Sequence, residues 1–383
     1  DLAAILYTSG GTGIPKAVPY THSIFWNQTL NLRKLFNLTE SDRDYPGFPL
    51  FSMFTLCLGM QSGITKIDPR GPARCNPKSV AQDLIESKAT FAAGSPAIWE
   101  KVAKHAQTHK LQFPHLKYLT MFGASVSLRL HREWASLLPS GTTYTPYGAT
   151  EALPVACISG QEILNEFSNP TLDGQGTCVG KPAQGIDIAI IPITDKALAT
   201  SVELATLHAG EMGEICVKGP VATTEYLFQK EETELSRVET QHGFWHRMGD
   251  LGYLDKNGYL WFMGRKKHRL EVSEEGLGEG SSLLISTETI EATYNDHPEI
   301  RRCALIWANN PLGERVQTLA IERMDGKKLR HKAAQKFEQH LVDFSARNSQ
   351  AHQVRHIVYV KKMPVDVRHN IKIDRQKLSQ KYS

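Results

Sequence analysis

Tyr7-Thr8-Ser9-Gly10-Gly11-Thr12-Gly13-Ile14-Pro15-Lys16 follows an apolar run, Leu2 to Tyr7, and the reading of this junction decides the fold. Glycines let successive backbone N–H groups turn toward one anion, hydroxyls add donors, and a lysine brings a point charge that suits phosphate. The stretch is built to hold a polyphosphate. It is not a Walker loop, because Pro15 precedes Lys16 and Ala17 follows it, so the usual magnesium-binding hydroxyl is absent. On the residues alone, a solvated Gly/Thr turn stays open as an equal alternative.

Outward from this junction, apolar runs alternate with helix-like stretches: Leu2 to Tyr7, Ser23 to Phe36, Ser79 to Glu86, Phe91 to Gly94, Ala97 to Gln107 and Tyr118 to Phe122. Such alternation predicts α/β architecture with parallel strands and crossover helices. From Gly176 to Gly264 the pattern shortens to β-rich runs, Ile186 to Ile193, Gly213 to Val217 and Tyr259 to Met263, broken by turn residues such as Asp255-Lys256-Asn257-Gly258. A basic cluster, Arg265 to Arg269, and a polar Gly-rich stretch, Glu274 to Ser282, mark a flexible boundary without regular structure. Beyond it, helices at 288–295 and 332–347 and strands at 303–307, 316–322 and 356–360 predict a small α+β domain. The expected division is a large domain over residues 1–264 and a small one over 265–383.

Composition narrows the function. The 383 residues suit two or three domains, at roughly 100 to 200 residues each. Lys plus Arg at 44 against Asp plus Glu at 40 is too mild a balance to predict a nucleic-acid partner. No apolar run approaches the ~20 residues of a membrane helix, and six cysteines without a Cys-x-x-Cys pair fit free thiols. A cytoplasmic protein without a transmembrane segment is expected. The run Phe51 to Met60 is assigned first to core packing, with an alkyl pocket as the alternative.

Thr-Ser-Gly-x-Thr-Gly-x-Pro-Lys resembles the phosphate loop of the adenylate-forming superfamily, which includes acyl-CoA synthetases, fatty acyl-AMP ligases, peptide-synthetase adenylation domains and luciferases. Further matching strings follow in that family's order: Gly123-Ala124-Ser125, Tyr147-Gly148-Ala149-Thr150-Glu151, Gly176 to Pro182, Gly210 to Ile215, Gly249-Asp250, Gly264-Arg265 and Asn370-Ile371-Lys372-Ile373. The series spans almost the whole chain.

The resemblance implies ATP and Mg²⁺ as cofactors. Thr8, Ser9, Gly10, Gly11, Thr12, Gly13 and Lys16 would form the phosphate loop, with Gly123, Ala124 and Gly148 also at the nucleotide. Tyr147 would stack on adenine, Thr150 would hydrogen-bond phosphate, and Glu151 would hold magnesium, a hard cation that suits a carboxylate plus phosphate oxygens. Asp250 would accept from the ribose hydroxyls and Arg265 would contact the sugar. Lys372 would be the catalytic lysine, brought by a mobile small domain to the charge that develops at the α-phosphate. Thr150 and Glu151 complete the implied catalytic set. Without the motif context, Glu151 reads as a helix-start carboxylate and Lys372 as a solvated surface charge.

Departures from the pattern are specific. Gly11 stands where the family usually has Ser or Thr, Lys267 where a hinge Asp is common, and Ile371 where many members have Gly. The long segment that normally precedes the phosphate loop is missing, so the large domain is expected to be incomplete at its N-terminal side. Within the superfamily, Phe48 to Phe51, Pro146 to Val155, Gly264 to Arg269 and Pro364 to Ile373 look most like the β-lactone synthetases of bacterial olefin biosynthesis. That likeness implies activation of a long-chain β-hydroxy acid as its acyl-adenylate and cyclisation to a β-lactone, with olefin-pathway enzymes as partners. Two alternatives stay open, a fatty acyl-CoA synthetase or fatty acyl-AMP ligase and a catalytically silent nucleotide-binding fragment. His268 and His369 are noted as bases for the β-hydroxyl but left outside the catalytic set.

Overall fold

A computed structural model describes residues 1–8, 14–198, 204–273, 282–365 and 372–383. Strand Leu2–Tyr7 pairs antiparallel with Ala17–Thr21, not parallel as the alternation predicted. The connection between them is too short for a crossover, which takes a dozen residues or more. Thr8 closes the base of the hairpin twice, its N–H donating to the Lys16 carbonyl at 3.0 Å and its Oγ1 accepting from the Lys16 N–H at 3.0 Å.

Helix His22–Phe36 starts where Thr21 Oγ1 accepts from the Ile24 N–H at 3.1 Å, an N-cap, and ends at Asn37 in the left-handed conformation (φ 48°). Its buried stripe, Ile24, Gln28, Leu32 and Phe36, repeats every four residues and so faces one side. Phe36 meets Phe91 and Tyr144 edge-on at 5.4 and 5.1 Å, which seats the helix on the central sheet.

That sheet has twelve strands among the described residues. Its parallel half, Gln61–Ser62, Arg43–Pro46, Phe91–Gly94, Tyr118–Met121 and Thr142–Ala149, is the α/β region the sequence predicted. Helices Pro77–Glu86, Pro96–Thr108 and Leu128–Ala135 cover one face, with Trp99 and Trp134 fully buried between helices and sheet. Within this sheet, every described pairing from Ala152–Ser159 onward is antiparallel, the β-rich region. The predicted turn at Asp255 joins strands Gly243–Leu254 and Leu260–Arg265, its Oδ1 accepting from the Asn257 N–H at 2.8 Å and the Tyr259 N–H at 3.0 Å.

The small domain is a three-stranded sheet, Ile300–Asn309, Arg315–Arg323 and His356–Val360, with helices on both faces. Leu305, Leu319 and Ile321 pack on helices Thr287–Asn295 and His331–Ser345, while Ala304, Ile306 and Ala320 face helix Arg375–Tyr382, the alternation a pleated strand requires. The Gly-rich stretch lies outside the described residues except Ser282. That residue opens strand Ser282–Ile285, which pairs with Leu270–Ser273, so regular structure reaches further into the stretch than its composition predicted.

Polar contacts join the domains. Arg129 Nη1 donates to the Ile300 carbonyl at 2.8 Å, Arg132 pairs with Asp296 at 2.7 Å, and Thr293 Oγ1 donates to the Leu172 carbonyl at 3.1 Å. Among the described residues no helix is long and apolar enough to cross a membrane.

Candidate active site

The two domains face one cleft of about 1150 Å³. Thr8, Lys16, Gly123, Ala124, Tyr147, Gly148, Thr150, Glu151, Asp250, Arg265 and Lys372 all line it, so residues scattered from the first strand to the last helix meet at one place. Ser9, Gly10, Gly11, Thr12, Gly13, Ile371 and His369 lie outside the described residues.

At one end Asp250 and Arg265 stand opposite each other across paired strands, with Asp250 Oδ1 3.0 Å from Arg265 Nη1. Tyr147 reaches over from a neighbouring part of the sheet and its hydroxyl donates to Asp250 Oδ2 at 2.7 Å. Burial raises the Asp250 pKa, against the opposing pull of Arg265 and the Tyr147 hydroxyl. Burial and the Asp250 charge both hold the Tyr147 phenol protonated. Gly148 is required here, since its φ of +155° comes with a close approach that would put a Cβ 2.5 Å from the Ala152 carbonyl oxygen.

At the other end Lys16 pairs with Glu232, on the short helix Lys230–Ser236, and its ammonium lies 4.6 Å from the ring centroid of Tyr226. The Tyr226 hydroxyl donates to Glu151 Oε1 at 2.7 Å. The Thr150 carbonyl accepts from Tyr20 Oη at 2.8 Å, and that hydroxyl in turn accepts from Gln28 Nε2 at 3.1 Å. His246 is buried beside Tyr226 and pushed down to about 4 by desolvation, which keeps it neutral.

Lys372 and Lys267 lie close enough to this centre to act on it electrically. Lys267 sits below the ordinary lysine range through desolvation and then the charges of Arg265, Lys16 and Lys372, while Lys372 also draws the Asp250 pKa down. Lys16, Arg265, Lys267 and Lys372 therefore converge, with Lys16 and Arg265 paired to Glu232 and Asp250. His268 is pushed down to about 3 by burial and by Arg375, Lys267 and Arg265, which leaves a neutral, weakly basic imidazole.

Glu288 comes from the small domain and is buried against the large one, accepting from Thr177 Oγ1 at 2.8 Å and from the Ser125 hydroxyl. Burial first, then the neighbouring Glu291 charge, pushes it up to about 7. Tyr226, Glu232, Glu288 and His246 were not legible in the sequence, since none belongs to a string with a phosphate-binding pattern. Phe51, Phe54 and Met60 of the apolar run are buried core, whereas Met53 and Leu56 are exposed, so core packing accounts for only part of the run; Phe51 also stacks on Phe122 at 4.3 Å in the cleft wall.

Residues 1–227 match the family described as AMP-binding enzyme. The chain belongs to the AMP-binding enzyme family. It is 36% identical to the olefin beta-lactone synthetase of Xanthomonas campestris pv. campestris over 99% of its own length and 66% of that protein's. Identity and coverage are the same for the olefin beta-lactone synthetase of Stenotrophomonas maltophilia. The chain thus spans just under two thirds of the length of these curated relatives. Its fold is similar to that of O-succinylbenzoate coenzyme A synthetase from Bacillus subtilis, solved in complex with ATP and magnesium ion, with a TM-score of 0.74, 20% identity, and 99% of this chain and 70% of that one covered. Membership in the family rests on the sequence match; the solved structure shows the fold alone.

Proposed function

We propose that this member of the AMP-binding enzyme family binds ATP in the cleft, joins a long-chain β-hydroxy acid to AMP, and lets the acid's own hydroxyl displace AMP to close a β-lactone. The convergence of Lys16, Arg265, Lys267 and Lys372 around Asp250 and Glu151 carries this reading. Asp250 accepts from the ribose hydroxyls, Arg265 holds it in place, and Tyr147, pinned by its hydroxyl, offers a ring face to adenine. Lys16 and the hydroxyl of Thr150 bind phosphate oxygens. Lys372 stabilises the charge that builds up as the carboxylate attacks the α-phosphate and pyrophosphate leaves.

Among the described residues no three His, Cys, Asp or Glu side chains cluster as a closed metal cage. Glu151, a hard oxygen donor beside the phosphate-binding cations, instead fits Mg²⁺, which keeps water and phosphate ligands and needs only one or two carboxylates. Magnesium held there neutralises the polyphosphate. The apolar wall around Phe51 and Phe122 suits the alkyl chain, and the similarity to the two olefin beta-lactone synthetases supports cyclisation over transfer to a thiol. Olefin-pathway enzymes are the partners this product implies.

Incubation with ATP, Mg²⁺ and a β-hydroxy fatty acid, without CoA, should release AMP and a product lighter than the acid by one water. AMP release only on addition of CoA or a carrier thiol, with a thioester formed, would replace this reading with that of a ligase. ATP binding with no turnover under either condition would leave a silent nucleotide-binding protein.

A further inference from the structure

Tyr226 touches both groups that are to meet the polyphosphate and its cation. Its hydroxyl donates to Glu151 Oε1 at 2.7 Å, and its ring face carries the Lys16 ammonium at 4.6 Å. Only 5% of the residue is exposed, so neither contact competes freely with bulk water. The segment that bears it is stitched to both partners through the backbone. The Leu227 N–H donates to the Ala17 carbonyl at 2.8 Å, next to Lys16, and the Thr223 N–H donates to the Glu151 carbonyl at 2.8 Å. Thr233 Oγ1 accepts from the Tyr226 N–H at 2.9 Å, tying the Tyr226 backbone to the helix that carries Glu232.

We infer that Tyr226 is a positioning residue that sets the Glu151 carboxylate and the Lys16 ammonium in one geometry, so that the triphosphate and its divalent cation are bound as a unit. This rests on the reading of Glu151 as the metal carboxylate and Lys16 as the phosphate cation. The reasoning is that of an outer shell: a carboxylate with one oxygen fixed by a donor presents the other in a single direction, and loss of such a donor typically costs 10- to 100-fold in metal affinity. The ring has a second job, because a cation over an aromatic face keeps its charge while its direction is restricted. The competing explanation is packing alone, since Tyr226 also sits in a small core cluster with Val18, Tyr20 and Ile24.

Tyr226→Phe separates the two, as it keeps the ring, the packing and the face under Lys16 and removes only the hydroxyl. Mn²⁺ binding in the presence of α,β-methylene-ATP, read as loss of the free-ion EPR signal, reports the site without turnover. About a tenfold or greater weakening of Mn²⁺ is expected in Tyr226→Phe, with nucleotide affinity at saturating Mn²⁺ within about twofold. Tyr226→Leu should weaken both. Unchanged Mn²⁺ affinity in a folded Tyr226→Phe overturns the inference, whereas a parent protein that binds the nucleotide but no Mn²⁺ overturns the reading of the metal site beneath it. If Tyr226→Phe does not fold, 3-fluorotyrosine placed at 226 gives a packing-neutral probe. Its ¹⁹F resonance should move when Mg²⁺ is added to the α,β-methylene-ATP complex, and a resonance that stays still overturns the inference.

Discussion

The Asp250 end of the cleft is carried by paired strands, and the Lys16 end by connections. Asp250 and Arg265 are partners in register on adjacent strands, and Tyr147 belongs to a strand of the same sheet. Lys16 sits at the foot of a hairpin, Glu151 in a turn between strands, Tyr226 in a loop and Glu232 on a helix of seven residues. Sheet-borne groups are ordered by the ladder that holds the fold, so presenting them to a ligand costs little further entropy. Groups on connections owe their positions to one another, through Lys16–Glu232 and Tyr226–Glu151, and connections are where structure yields most readily.

The largest effect is expected at Lys372, which comes to the cleft from the small domain. If Lys372 acts as proposed, on charge that develops in the transition state, Lys372→Ala should cut carboxylate-dependent pyrophosphate exchange by roughly 10²- to 10³-fold, while ATP affinity changes only a few-fold. An equal loss in both measurements would move Lys372 into the binding group. The Asp250 and Glu151 variants come next and should differ in kind. Asp250→Asn leaves Arg265 without its charge partner at a position where only 5% of the Asp250 side chain is exposed. A stability loss of about 1–3 kcal/mol in thermal unfolding is expected, together with weaker ATP binding. Glu151→Gln should leave the thermal midpoint almost unchanged and raise the Mg²⁺ concentration needed for half-maximal exchange. A large fall in the midpoint for Glu151→Gln would mean that the Lys16 end is as firmly built as the Asp250 end.

How far the sequence could be read follows from the same division. Strands Phe91–Gly94 and His356–Val360 were legible to the residue, because a short apolar run bounded by polar residues has few other places to go. The strand Leu2–Tyr7 was legible as a strand but its partner was not, since the run carries no mark of its own direction of pairing. Residues in strings such as Tyr147 to Glu151 were marked by resemblance to a known family, since taken alone they read as a turn and a helix-start carboxylate. Tyr226 was not, as Thr224-Glu225-Tyr226-Leu227 reads as an ordinary polar loop and its partner Glu151 lies 75 positions away. Glu288 was hidden for the opposite reason. An acid in the first turn of a helix is well accounted for by the helix dipole, and only docking against Thr177, 111 positions earlier, takes it out of water.

Glu288 also gives the variant with the least expected effect on turnover, one that tests the join between the domains rather than either end of the cleft. Its carboxyl is pushed from 4.5 to about 7 by burial and by Glu291, with Arg375 and the hydroxyls of Thr177 and Ser125 acting the other way. A raised carboxyl pKa means that the folded state keeps the proton longer than the unfolded chain. Between about pH 4.5 and 7 the folded state therefore binds more protons, and stability falls as the pH rises through that window and stays at its lower level above it. Glu288→Gln keeps the size and the neutral charge of the protonated form. It should therefore stabilise the protein at pH 8, by at most about 3 kcal/mol if the whole shift is recovered. The advantage should shrink as the pH is lowered and vanish below about pH 4.5, where the parent carboxyl is protonated in both states. Thermal unfolding of parent and variant across this range checks both the sign and the window. A variant less stable than its parent at pH 8 would show that the ionised carboxylate is a favourable partner of Arg375 and the two hydroxyls, and that the small domain is held to the large one by charge rather than by a neutral hydrogen bond.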